Sequence, residues 1–221
     1  RRGRRSAGLM SVAILRFPGS LDHGSAARAV EAAGGAPTEV WHASPELPPE
    51  TRAVVIPGGF SYGDHLRPGA VASRAPVMAD VKRHVERGGL VLGICNGFQI
   101  LCESGLLPGA LRPNATLSFV CRQTEIEVTD ADSPWTEVLG TGRVLSIPIK
   151  NNQGAWYGDP SASRIALRYR GEDRLGSVEG AAGVLDSSGR VLGLMPHPEE
   201  ASDPLHGSVD GRALFRAAAL A

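Results

Sequence analysis

Short apolar runs recur along the first half of the chain at Val12–Phe17, Thr38–Trp41, Ala53–Ile56 and Leu90–Ile94, separated by polar, glycine-containing joints. Each is too short for a helix of its own and reads as a buried strand. Between them, Ser25–Ala33 and Pro76–Arg87 are compatible with helices. Strands alternating with helices predict a parallel sheet covered on both faces. Strand-rich sequence over Ser118–Ile149 and Arg164–Tyr169 predicts an antiparallel extension, after which Val191–Met195 returns to the main sheet and Asp210–Ala219 closes the chain as a helix. The expected class is therefore α/β, a mostly parallel, doubly wound sheet with an antiparallel extension. In such sheets the site lies beyond the carboxyl ends of the strands. The ends at Phe17, Ile56, Ile94 and Met195 would bring Gly19, Gly59, Cys95 and His197 to one place.

Cys95 stands where the strand Leu90–Ile94 meets the helix-compatible segment Phe98–Leu107. Gly93 and Gly97 flank it, removing side chains that would block close approach of the two arms of a tight elbow. A thiol there is expected to be exposed at a helix N-terminus, where unpaired amides and the helix dipole favour the thiolate. The same amides make the Asn96 N–H a candidate oxyanion donor. An inert core cysteine would leave the paired glycines without a packing reason.

Pro196-His197-Pro198-Glu199 emerges from the end of another apolar strand. A neutral imidazole there can take the Cys95 proton and return it to a leaving amine, while a carboxylate two residues on orients the ring. Alone the motif equally describes a solvated loop pair. Whether its strand lies beside that of Cys95 is open at the level of sequence.

The chain resembles the class I, triad-type glutamine amidotransferases, and within them the purine-biosynthetic branch. The resemblance is carried by Phe17-Pro18-Gly19-Ser20, by Pro57-Gly58-Gly59-Phe60-Ser61-Tyr62-Gly63-Asp64, by the elbow from Gly93 to Leu101, by Leu106-Leu107-Pro108-Gly109-Ala110, by Phe119-Val120-Cys121-Arg122 and by Gly193 to Glu199. These cover nearly the whole chain from Val12 onward. The resemblance implies a flavodoxin-like amidotransferase fold with Cys95 as nucleophile, His197 as base and Glu199 as its orienter. It further implies Gly59 as a second oxyanion amide beside Asn96, and Gln99 in the substrate pocket. The implied activity is hydrolysis of L-glutamine to glutamate and ammonia, with no cofactor on this chain. The ammonia would pass to a large synthetase subunit, which carries ATP and Mg and makes phosphoribosylformylglycinamidine, with a small bridging subunit in the assembly.

Three stretches depart from the family pattern: Leu21-Asp22-His23-Gly24-Ser25 after the first strand, His65 before Leu66-Arg67, and Asp173-Arg174-Leu175-Gly176-Ser177 late in the chain. None is expected to touch the triad. The last, with two opposite charges and a leucine expected to be exposed, is expected to dock the partner, since loops carry partner specificity. These departures keep open a paralogue serving a specialised purine-like pathway.

Composition changes the picture mainly by exclusion. The 221 residues carry 23 basic and 23 acidic side chains, so no bulk charge draws the chain to nucleic acid, and 42% hydrophobic residues suffice for one well-buried domain. Residues 11–221 are read as that single domain, and residues 1–10, with Arg1-Arg2-Gly3-Arg4-Arg5 and no apolar signal region, as a non-native or disordered extension. Cys95, Cys102 and Cys121 lack paired spacing, which fits a reducing cytoplasm and neither a disulfide framework nor a zinc site. His23, His42, His65, His84 and His206 lack ligand spacing and are expected in solvated or capping roles, so no metal is expected. No stretch approaches membrane-spanning length. No phosphate-loop or dinucleotide fingerprint is present. A different cysteine hydrolase and a non-catalytic interaction module remain the alternatives from other classes.

Overall fold

The apolar runs of the first half become neighbouring parallel strands. The computed structural model describes residues 10–171 and 175–220. All of the expected extension over residues 1–10 except Met10, together with Asp173 and Arg174, lies outside the described residues. The strands are β1 (Ser11–Arg16), β2 (Ala36–Trp41), β3 (Thr51–Ile56), β4 (Leu90–Ile94), β5 (Ala110–Arg112), β6 (Val120–Val128), β7 (Val144–Asn151), β8 (Ala155–Tyr157), β9 (Arg164–Tyr169), β10 (Ala181–Leu185) and β11 (Val191–Leu194). The helices are α1 (His23–Ala32), α2 (Pro76–Glu86), α3 (Asn96–Glu103) and α4 (Arg212–Leu220).

Nine strands form one sheet in the order β2-β1-β3-β4-β11-β10-β9-β6-β7, with β5 and β8 paired separately. From β2 to β11 all pairs are parallel, and from β11 to β7 all are antiparallel. The chain steps outward from β1 to β2 in one direction and from β3 to β4 in the other. Right-handed crossovers then put α1 and α2 on opposite faces, and the reversal creates a crevice beyond the carboxyl ends of β1 and β3. Every residue of β4, β10 and β11 is buried, as strands covered on both faces require.

Three elements differ from expectation for local reasons. Helix α3 stops at Glu103 instead of continuing to Leu107, because Gly105 turns left-handed at φ 76° and the amides of Leu106 and Leu107 fold back onto the Leu101 carbonyl. Helix α4 starts at Arg212, since the Asp210 carboxylate accepts the Ser146 amide at 2.9 Å. The strand-rich stretch before Ile149 is divided by a loop carrying the buried Trp135, whose indole N–H donates to the Arg190 carbonyl at 2.8 Å. His84 corrects the expectation of a solvated or capping histidine. It is buried on α2 beneath Gly89, where a Cβ would lie 2.1 Å from its Nε2, and burial holds its pKa below the ordinary value.

Gly97 is the tightest contact between α3 and the sheet: a Cβ there would stand 2.0 Å from the Ile56 carbonyl oxygen, a backbone atom that cannot give way. Gly97→Ala is expected to lower stability by about 1–3 kcal/mol through overpacking, read as a reduced urea midpoint at unchanged slope.

Candidate active site

Cys95 takes φ 51° and ψ −104°, outside the regions that L-residues ordinarily occupy. The conformation is held from both sides. Its N–H donates to the Leu194 carbonyl at 2.8 Å, and α3 begins at the next residue. Gly93 and Gly193, paired across β4 and β11, form the floor beneath α3: a Cβ on Gly93 would strike Leu101 at 2.4 Å, and one on Gly193 would strike Phe98 at 2.1 Å. Strain of this kind persists only where packing over-determines it and is common at reactive residues.

His197 follows β11, and its N–H donates to the Pro148 carbonyl at 2.8 Å. Its Nδ1 lies 2.6 Å from Glu199 Oε1, so the ring donates from Nδ1 and leaves Nε2 for proton transfer. Both side chains are buried. Burial disfavours a charged imidazole, but Glu199 and then Cys95 outweigh it and hold the His197 pKa well above its ordinary value. Nε2 has no hydrogen-bond partner among the described residues. Catalytic hydrogen bonds are commonly long until substrate arrives.

Gly59, Cys95, Gln99 and His197 line one cavity of about 150 Å³. The amides of Gly59 and Asn96 make no hydrogen bond among the described residues, which leaves both available as oxyanion donors. Asn96 uses its side chain structurally, accepting the Ser61 amide at 3.1 Å and donating to Gln99 Oε1 at 2.9 Å. Gln99 also donates to the Gln153 carbonyl at 2.8 Å, so its amide is committed to shaping the pocket wall. A larger cavity of about 460 Å³ near Arg52, His84 and Arg190 contains none of the sequence-predicted site residues.

Asp22, Asp64, Lys150 and Asn151 also line the cavity, and sequence reasoning gave none of them a role there. The expectation that the departing loop after β1 avoids the triad is wrong for Asp22, whose Oδ2 lies 3.5 Å from His197 Nδ1. Its Oδ1 accepts from Lys150 Nζ at 2.9 Å, and the same ammonium reaches Glu200 at 3.3 Å. Asp22, His197 and Glu199 offer ligand atoms within 4.8 Å of one another, and the Lys150 ammonium supplies positive charge to this acidic group. Both amide atoms of the buried Asn151 and one carboxylate oxygen of Asp64 have no partner among the described residues. An acid just beyond a parallel strand was a signal that could have drawn attention to Asp22. Lys150 and Asn151, at the end of a strand in the extension, gave none. Leu175 is a further correction: it is 1% exposed at φ 55°, a buried anchor instead of the exposed leucine of a docking loop.

This elbow, buried imidazole–carboxylate pair and cavity at the sheet's switch point have the form of a thiol amidohydrolase site. The profile of the CobB/CobQ-like glutamine amidotransferase domain matches residues 10–214, and the chain belongs to that family. The phosphoribosylformylglycinamidine synthase subunit PurQ of Rubrobacter xylanophilus is 48% identical over 214 residues, covering 94% of this chain and 96% of the relative. The PurQ subunit of Cereibacter sphaeroides is 48% identical over 217 residues, with the same coverage of 94% and 96%. Among solved structures, PurLQS from Thermotoga maritima matches with a TM-score of 0.91 at 39% identity, covering 96% of this chain and 98% of the matched one. A glutamine amidotransferase from Thermotoga maritima, at 16% identity and a TM-score of 0.58 over 95% of this chain and 90% of its own, shares the fold alone.

The geometry ranks the two members of the imidazole–carboxylate pair. His197→Ala is expected to reduce glutamine hydrolysis about a thousandfold and Glu199→Gln about a hundredfold or less, since the base moves the proton and the carboxylate orients it. Single-turnover kinetics measure the order. Equal, negligible losses would make the segment a structural turn.

Proposed function

We propose that the chain is the glutaminase subunit of a phosphoribosylformylglycinamidine synthase, hydrolysing L-glutamine and delivering the ammonia to a synthetase subunit. The observation that carries the reading is the strained Cys95 elbow set beside the buried His197–Glu199 pair, in a chain that relatives named for that subunit match almost end to end. The same similarity, 44–48% identity to relatives of one name, weighs against a paralogue of a specialised pathway.

In this reading the glutamine carboxamide lies over Cys95. Sulfur attacks the carbonyl carbon, the oxyanion is taken by the Gly59 and Asn96 amides, and the His197 imidazolium protonates the departing nitrogen as ammonia. Water, deprotonated by the then-neutral His197, attacks the thioester and releases glutamate, restoring the thiol. Substrate polar groups have unpaired partners waiting in the Asn151 amide and the Asp64 carboxylate, and buried polar groups without partners are costly unless a ligand satisfies them. Burial raises the Asp64 pKa, so a substrate ammonium would restore its preference for the charged form.

Exposed Leu21, Phe60 and Phe119 at the cavity mouth support docking of a synthetase subunit over the site, where ammonia could pass without meeting bulk water. ATP and Mg belong on that partner, and a small bridging subunit completes the assembly in this reading. The cytoplasm is the corresponding compartment. No helix among the described residues is long and apolar enough to cross a membrane.

Cys95→Ala should abolish glutamine hydrolysis while ammonia-dependent synthesis by the reconstituted complex persists. Cys102→Ala is the control, because burial raises its thiol pKa and leaves that sulfur inert. Glutaminase activity surviving in Cys95→Ala would refute the reading. Asn151→Ala should raise the KM for glutamine about tenfold, the effect of one lost hydrogen bond to substrate, with kcat little changed in the same steady-state assay.

A further inference from the structure

We infer that Asp22 and Lys150 form a positioning pair for the His197 base, Asp22 acting as a second carboxylate on the imidazole and Lys150 keeping that carboxylate in place. The inference rests on the glutaminase reading above and adds two residues to its machinery.

The position of Asp22 is fixed by the backbone. The amides of Leu21 and Asp22 both donate to the Gly58 carbonyl at 3.2 Å, tying the loop after β1 to the loop after β3. Gly58 is packed so closely that a Cβ would lie 2.4 Å from Asp22 Oδ2 and 2.8 Å from His197 Cε1. Carboxylate and imidazole edge therefore both pack against Gly58, leaving no room for a side chain there. Asp22 is only 8% exposed, so its charge acts on the ring with little screening.

Two carboxylates around one Nδ1, Glu199 at 2.6 Å and Asp22 at 3.5 Å, repel each other unless a cation stands beside them. Lys150 is that cation. Burial opposes its charge, but Asp22 and then Glu199 and Glu200 outweigh burial and raise its pKa. The Lys150 main chain joins the same arrangement, its carbonyl lying 3.9 Å from Cys95 Sγ. One residue of β7 thus touches the nucleophile through its backbone and the base, by way of Asp22, through its side chain.

The groups that face the imidazole are Glu199, Asp22 and Cys95, with Lys150 and Glu200 behind Asp22. Removing an anion lowers the pKa of an imidazolium; removing the cation that neutralises that anion raises it. The test uses the full chain in complex with its synthetase partner and follows glutamine hydrolysis against pH for wild type, Asp22→Asn, Lys150→Gln and the double variant. Asp22→Asn is expected to lower kcat about tenfold with little change in KM, and to move the alkaline limb of kcat down by about half a pH unit or more. Lys150→Gln should move that limb up in the wild-type background and hardly at all beside Asp22→Asn, because it acts through Asp22. Asp22→Ser repeats the comparison with a smaller side chain, so a folding defect in one variant does not decide the outcome.

An unmoved alkaline limb in both Asp22 variants overturns the inference. So does a rise in KM on Lys150→Gln that is equal with and without Asp22, which would make Lys150 a contact to the substrate carboxylate. Wild-type complex without glutaminase activity would instead overturn the functional reading itself.

Discussion

The parallel pairing of β4 with β11 is the constraint on which the site depends. It sets Gly93 opposite Gly193 and Ile94 opposite Leu194, so the two chain segments leave the sheet side by side carrying Cys95 and His197. The register does more than bring two residues close. The paired glycines open a trough into which Leu101 and Phe98 of α3 settle, and the helix can then begin directly at the elbow with its free amides around the sulfur. A shift of one residue would put Leu92 or Leu194 under α3 and raise it off the sheet, since side-chain direction alternates along a strand.

Around that pair, charge is arranged so that a buried ionic cluster is tolerated. An isolated carboxylate or ammonium in such a place would neutralise instead of remaining charged. Here each charge has a partner: Glu199 holds His197, Lys150 holds Asp22 and reaches Glu200, and the Cys95 sulfur completes the ring's surroundings. Buried ion clusters are often no more stabilising than an apolar core of the same volume, and here the Glu199 contact fixes the tautomer and direction of one imidazole.

The antiparallel extension has a role that its position in the strand order conceals. β7 is the edge strand of the sheet, yet its Pro148 carbonyl accepts the His197 amide, its Ser146 amide is taken by Asp210, and its last two residues line the cavity. An otherwise open edge is closed by the segments that follow β11, which removes a site for unwanted strand pairing. The loop beyond it is stitched in place by the buried Asn114, which donates to the Asn151 carbonyl at 3.0 Å and accepts the Gly154 amide at 2.9 Å. This wall of the cavity is therefore built on a strand anchored at both sides.

Much of this was legible in the sequence, for a physical reason: strands covered on both faces must be short, continuous and apolar, and an elbow at the end of one of them must be flanked by glycine. Hence the parallel strands, the place of Cys95 and the pairing of a histidine with a carboxylate two residues on could be read from local pattern and family motifs. What local pattern could not supply was adjacency. That β11 lies beside β4 is decided by tertiary packing, and so is the approach of Asp22 to His197, which follows from the tie between the loops after β1 and β3. Lys150 and Asn151 gave no signal because their neighbours in sequence form an ordinary alternating strand, and only the return of β7 toward the segment after β11 carries them to the nucleophile. Leu175 errs in the opposite sense: beside two charges it read as an exposed contact, yet the fold buries it. The sequence by itself determined the elements and the reactive groups; the tertiary structure decided which groups meet, because contacts between distant segments depend on the register and packing of the whole sheet.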